Sequence, residues 1–453
     1  MRIHARHMLM GHNWVSDALV TSADGKIASI NLGVQPASQD HRVDILLPAL
    51  ANLHSHTFQR AMAGMTEVRA AGKESFWTWR DLMYRFLNHL TPDHYEAIAA
   101  LAFMEMQEAG FASVGEFHYV HQQLGGAPYD DLAELSARVF SAASDTGIGL
   151  THLPVLYTHG GVNQEPLSGG QLRFANDVEG FLKLHEACVS QMGHLPEDSN
   201  LGIAPHSLRA TSPGDLTQVL EATPSGPVHI HIAEQTREVD EVQAKLGARP
   251  VEWLLDHVEV DTRWCLVHAT HMSDAETAAL AQSGAVAGLC PITEANLGDG
   301  AFSGPKFLEH GGAFGVGSDS NVRISVAEEL RTLEYSQRLR DMQRNLMIKR
   351  AGSVGQALYL GAAKGGAQAL GRASGEIKVG LWADLVALDQ NRPSLCALRP
   401  DQFLDGFCFA GGNDLVTDCW SAGRHMVKDG LHVRREAILS RYRSAMSDLV
   451  SAL

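Results

Sequence analysis

The chain has 453 residues, 45% of them hydrophobic and 19% charged, which is the make-up of a soluble globular protein rather than a disordered or membrane-embedded one. Its formal charge of -16 disfavours nucleic acid and acidic lipid as partners, so an anionic ligand would have to be met by arginines gathered locally. No run of about 18 apolar residues occurs, and residues 1–10 lack a signal-peptide core, which points to a cytoplasmic protein.

Residues 1–44 alternate short apolar runs with turn signals, as in Ala18-Leu19-Val20 before Ala23-Asp24-Gly25-Lys26, and predict short strands joined by Asp-Gly turns. The stretch 46–60 opens with an apolar run that reads as a buried strand and carries His54 and His56 at its carboxyl end. Side chains two apart on a strand share a face, so these two imidazoles can converge on one cation, and zinc suits them best. A long polar and aromatic connection follows at 58–88, with Trp77, Trp79, Arg80 and Arg85; connections of that length inside a domain tend to be functional. A helix is predicted from Thr91-Pro92 to Gly110.

From there a pattern repeats: apolar run, polar residue at its end, helical segment. The runs are 111–117, 148–156, 201–205, 228–232, 264–267, 285–289 and 313–317, with helices predicted between them, for example at 128–146 and at 273–283 behind a Ser273/Glu276 capping box. With the opening strand these make eight strand-helix units. They predict an α/β fold, a closed (β/α)8 TIM-like barrel with its chemistry at the carboxyl ends of the strands. Those ends read His54/His56, His118/Tyr119, Tyr157/His159, His206, His231/Glu234, His268, Pro291 and Asp319. Helices are expected at 325–348 and 353–370, after which 375–389 returns to strand and turn patterning. The expected division is a barrel over 47–374 and a small β-sandwich built from both chain ends, 1–46 and 375–453. Six cysteines without a Cys-x-x-Cys pair fit reduced thiols rather than a disulfide scaffold or thiolate zinc site.

Three histidines and a carboxylate, His54, His56, His231 and Asp319, would hold one zinc ion and leave a position for water. Glu234 follows His231 by three residues, where it would face that water without binding the metal, and His268 would flank it. No lysine lies between Leu201 and His206, which removes the usual bridging ligand of two-metal barrels and favours a single ion. Zinc lowers the pKa of water from about 15.7 to about 7, chemistry suited to hydrolysis at a carbon polarised toward oxygen or nitrogen. His229 and His271 are expected to be structural.

The series His54-x-His56, His231, His268 and Asp319, with the strands of the chain ends and Gly380-Leu381-Trp382-Ala383-Asp384-Leu385, resembles the amidohydrolase superfamily in its mononuclear deaminase branch, over nearly the whole chain. Within that branch three stretches are similar to the formimidoylglutamate deiminase family of histidine degradation: 52–64, Phe76-Trp77-Thr78-Trp79-Arg80 and Pro205-His206-Ser207-Leu208-Arg209. The resemblance implies a hydrolase of a linear amidine, converting N-formimino-L-glutamate to N-formyl-L-glutamate and ammonia on one zinc, in a homodimer. Carried over by motif, Gln59, Arg80, Tyr119, His206 and Arg209 would hold the anionic substrate. Glu234 and His268 would move protons, and Asp319 would join Glu234 in meeting the cationic amidinium. Two other readings remain open here: another mononuclear zinc amidohydrolase acting on a purine, pyrimidine or triazine ring, whose pocket would want aromatics and amides rather than two arginines, and an inactive scaffold, which would have lost ligands.

Overall fold

A computed structural model of the chain describes residues 1–67 and 76–452; the side chains of Phe76, Trp77, Thr78 and Asp81 lie outside the described residues, and with them part of the 76–80 motif. The chain opens with β1 (Arg2–Met10), β2 (Asn13–Ala23), β3 (Lys26–Asn31) and β4 (His41–Pro48). The β2–β3 turn is Asp24-Gly25, both with positive φ (49° and 74°), the geometry for which Asp-Gly is selected. Short strands follow: β5 (Leu50–Ser55), β6 (Phe111–His118), β7 (Gly149–Leu156), β8 (Asn200–Leu201), β9 (Ala204–Pro205), β10 (Val228–Ile232), β11 (Trp264–His268), β12 (Val286–Leu289) and β13 (Ala313–Val316). The last four are β14 (Leu385–Leu388), β15 (Val416–Ser421), β16 (Arg424–Lys428) and β17 (Leu431–His432).

Strands β5-β6-β7-β8, with β9 also on β7, form one parallel sheet, and β10-β11-β12-β13 form another. Parallel bridges join the two: Ile203 to Val228 and Ser207 to His231 on one side, Ser55 to Asp319 on the other. The fold is therefore α/β with parallel sheets, and helices lie between successive strands of these sheets except between β8 and β9. Strands β5, β6, β7, β10 and β11 are buried at every position, which is why they read as unbroken apolar runs rather than alternating ones. Two glycines permit close packing at the strand ends. A Cβ at Gly317 would lie 2.7 Å from the backbone N and O of His54, and one at Gly365, in the helix Val354–Ala369, 1.9 Å from Phe314 O.

Both chain ends enter one eight-stranded mixed sheet, ordered β17-β16-β15-β14-β4-β1-β2-β3, with β14 from the carboxyl side pairing β4 from the amino side. Ile3, Ala5, Val20, Ile27, Leu46, Leu385 and Trp420 form its own buried cluster. Arg372 fastens this sheet to the parallel ones. It donates to Asp384 from Nε (2.6 Å) and Nη2 (2.9 Å) and to Asp198 Oδ2 (2.8 Å), and Arg424 grips the same Asp198 at 2.7 Å from each terminal nitrogen. Removing one partner of a buried pair leaves an uncompensated charge and costs about 3 to 5 kcal/mol. Asp384→Ala should therefore lower the unfolding free energy by about that amount in urea titrations. A change within measurement error would mean that the sheet is held without this contact.

Candidate metal centre and the pocket around it

The first ligand pair follows from strand geometry. His54 lies on β5 and His56 one residue beyond it, and their rings stand 4.7 Å apart, facing the same side. On β10 alternation separates two histidines: His231 turns toward His54, while His229 points away and bonds the Ala369 carbonyl at 2.8 Å. Asp319 comes to the same place because the chain after β13 runs beside β5. Asp319 N donates to His54 O and His56 N to Asp319 O, both at 2.9 Å. Asn321 locks this junction through its amide, which donates to Ser55 Oγ and to the carbonyls of His56 and Asp319, each at 3.1 Å, while Ser318 Oγ donates to Asn321 Oδ1. Asn52 and Ser318 tie the same two segments.

The donor atoms are spaced for an ion. His54 Nε2 and His231 Nε2 lie 3.1 Å apart, and Asp319 Oδ1 lies 3.3 Å from His56 Nε2 and 3.6 Å from His54 Nε2. Ligands about 2.0 to 2.1 Å from a tetrahedral centre are separated by about 3.3 to 3.4 Å. The three histidines bring one nitrogen each within 4.8 Å of the others and Asp319 sets an oxygen beside two of them, a donor set that suits zinc. Burial keeps the imidazoles of His54, His56 and His231 below their ordinary pKa, His54 down to about 3, so their nitrogens offer lone pairs. His56 Nδ1 donates to the Phe117 carbonyl at 2.9 Å, which leaves its Nε2 as the free donor atom toward the ion. For Asp319, burial works to raise the carboxyl, but the bond from His54 and the charge of His268 prevail and hold it below its usual value.

Glu234 and His268 stand beside these ligands. His268 Nε2 is 3.8 Å from Glu234 Oε1 and 3.9 Å from Asp319 Oδ2, and its Nδ1 lies 3.3 Å from Glu294 Oε1. Burial opposes charge on His268, yet the surrounding carboxylates, Glu234 foremost, lift it to about 10, while burial pushes Glu234 up to about 7 against the pull of His268. The backbone is left-handed at Ala233 (φ 52°), His268 (φ 69°) and Asp319 (φ 46°). Non-glycine residues in that region carry strain, and here it clusters where strand ends turn side chains inward. Glu238, in the helix Thr236–Leu246, holds one such turn by accepting the amides of Ala233 and Glu234.

His56, His231, Glu234, His268 and Asp319 line a pocket together with Gln59, Arg80, Tyr119, His206 and Arg209. His54 sits behind them, fully buried. Gln59 Nε2 donates to Tyr119 OH at 2.6 Å, and the Tyr119 ring sits edge-on to His56 at 4.7 Å. His206 packs between Tyr157 and His231. Arg209 is 9% exposed, and Arg80 lies over the Tyr84 ring at 5.6 Å. Every sequence-predicted site residue is thus at this place, with no lysine among the pocket residues. Trp79, in the connection and motif singled out from the sequence, and Tyr157, at a strand exit, form walls of the pocket; sequence reasoning missed the other wall residues, Met83, Tyr84 and Phe174, and also missed Thr293, Ser320 and Glu294. The missed residues lie on helices and connections that meet in space alone.

The amidohydrolase family model matches residues 45–423. The chain is 48% identical over 454 residues to the formimidoylglutamate deiminase of Pseudomonas aeruginosa, covering 99% of both proteins. The crystal structure of an amidohydrolase from Brucella melitensis shares 46% identity and a TM-score of 0.95, over 99% of both chains. A zinc-bound adenosine deaminase from Xanthomonas campestris, at 20% identity and a TM-score of 0.82 over 99% of this chain and 98% of its own, is alike in fold.

Proposed function

The chain belongs to the amidohydrolase family, and on that premise we propose that it is the deiminase that hydrolyses N-formimino-L-glutamate to N-formyl-L-glutamate and ammonia in histidine degradation. The carrying observation is that one pocket gathers ion donors, the carboxylate of Glu234 and two arginines, Arg80 and Arg209. A substrate that carries a cationic amidine and two carboxylates calls for that mixture of groups in a protein of net charge -16. The 48% identity along the full length supports the same reading.

In this reading His54, His56, His231 and Asp319 hold one zinc ion per chain, which when bound supplies Lewis acidity and makes water acidic near neutral pH. Glu234 takes the proton of the attacking water and passes it to the departing nitrogen, so that the carbon–nitrogen bond breaks with ammonia as the leaving group. His268, held by Glu294, stabilises the negative charge that develops beside Asp319. Gln59, Tyr119 and His206 orient the formimino group, and the arginines hold the carboxylates. The same reading takes the two parallel sheets as one (β/α)8 barrel over 47–374 and the sheet of the chain ends, 1–46 and 375–453, as a sandwich domain, working as a cytoplasmic homodimer.

The aromatic walls Tyr84, Tyr157 and Phe174 are what a ring deaminase would also use, and the arginines separate the two readings. A hydrogen bond to a charged group is worth about 1.5 to 3 kcal/mol, and lysine cannot copy the guanidinium fork. Arg80→Met and Arg209→Met should each lower kcat/KM for N-formimino-L-glutamate by roughly ten to a hundred fold, read as ammonia release. The loss should be much smaller on a formimino compound lacking the matching carboxylate. Equal losses on both substrates, or none on either, would remove the arginines from the substrate and reopen the ring deaminases.

A further inference from the structure

Away from the pocket, the described residues bring a second set of metal-type donors together on the sheet of the chain ends: His41 of β4, Asp418 of β15 and His425 of β16, their donor atoms all within 4.8 Å of one another. Both imidazoles aim Nε2 at the same carboxylate oxygen, Asp418 Oδ1, at 2.9 Å from His41 and 2.7 Å from His425. Their orientations are set by the buried ring of Trp420, which stacks on His425 at 4.4 Å and 21° and meets His41 at 5.6 Å and 77°. The Asp418 side chain is 8% exposed, while those of His41 and His425 are 43% and 22% exposed, so the cluster opens to solvent on its imidazole side.

We propose that His41, Asp418 and His425 form a second binding site for a divalent transition-metal ion, zinc, copper or nickel, with water completing the coordination. Two imidazole nitrogens and one carboxylate oxygen are the donor set such ions select. Neighbouring ligands of a four-coordinate ion stand about 3.3 to 3.4 Å apart, so each nitrogen needs to retreat from Oδ1 by only about half an ångström, within the reach of side-chain torsions on a fixed sheet. With three protein donors and an open face, this site binds more weakly than the four-ligand centre in the pocket.

Metal-loaded enzyme, gel-filtered to leave only the tightly held ion, should take up a second equivalent when titrated with Zn2+ against a chromophoric chelator. His425→Ala and Asp418→Asn should each weaken that second equivalent by at least about tenfold, leaving the first equivalent and ammonia release unchanged. His41→Gln, at a half-exposed position, keeps the test available if the Asp418 variant folds poorly. With Cu2+ in the second site, electron paramagnetic resonance should show coupling to two imidazole nitrogens, falling to one in His41→Gln. Wild-type enzyme that takes up no second equivalent would overturn the proposal and leave a hydrogen-bonded triad only. A second equivalent that survives all three substitutions would overturn it equally.

Discussion

Glu234→Gln is expected to retain its metal and to lose turnover of N-formimino-L-glutamate by about 10² to 10⁴ fold, because the amide keeps the shape of the side chain but cannot accept the water proton. Its surroundings are consistent with a proton carrier. Burial pushes its carboxyl up to about 7, and His268 faces it at 3.8 Å. The amide of Glu234 is itself held by Glu238, so the side chain springs from a fixed backbone. The measurements are metal content by elemental analysis and single-turnover ammonia release on the same preparation. A variant that loses its ion would make Glu234 a ligand, and one that turns over at nearly the wild-type rate would move the proton transfer elsewhere.

Removing a ligand should look different. His231→Ala deletes one of the donors spaced at ion-coordination distance and leaves three, so metal content and activity should fall together, with activity lost to the level of the uncatalysed reaction. Wild-type protein purified without added metal should hold about one tightly bound zinc per chain, and the variant well under a tenth of that. Restoring zinc in excess should rescue activity only in part, since the vacated direction can be filled by water but not by an imidazole. A variant that keeps a full equivalent and full activity would exclude His231 from the centre. Two tightly held ions in the wild type, both required for turnover, would overturn the single-ion reading.

Most strands of the two parallel sheets were legible because they are covered on both faces and their apolar runs end at a titratable or aromatic group, while the single strand expected at 201–205 splits into the short β8 and β9. Helix limits were less so. The segment expected as a helix over 128–146 becomes helical only from Glu134, since Asp131 turns the chain by accepting the Ala133 amide. The helix expected over 325–348 stops at Asp341, with Met342 in the left-handed region. No glycine or proline marks that stop. Its cause is Glu334, a buried carboxylate one helical turn or two back, which takes the amides of Leu346 and Met347 and folds the chain onto itself. In the site, ligands at strand ends were legible because strand alternation fixes where they point. Glu294 was not, because it reaches His268 from the helix after β12, Pro291–Leu297, and only three-dimensional closure brings the two together.

The pairing of β4 with β14 has a consequence for biosynthesis. The apolar edge of β4, with Ile45, Leu46 and Leu47, finds its partner only after about 340 further residues have been made. At about 5 to 20 residues per second the ribosome needs on the order of tens of seconds for that stretch. Throughout that time the amino-terminal hairpins present an unpaired strand edge of the kind that recruits other chains. The growing chain is therefore expected to depend on holding chaperones during that interval, and on nothing comparable once β14 has docked.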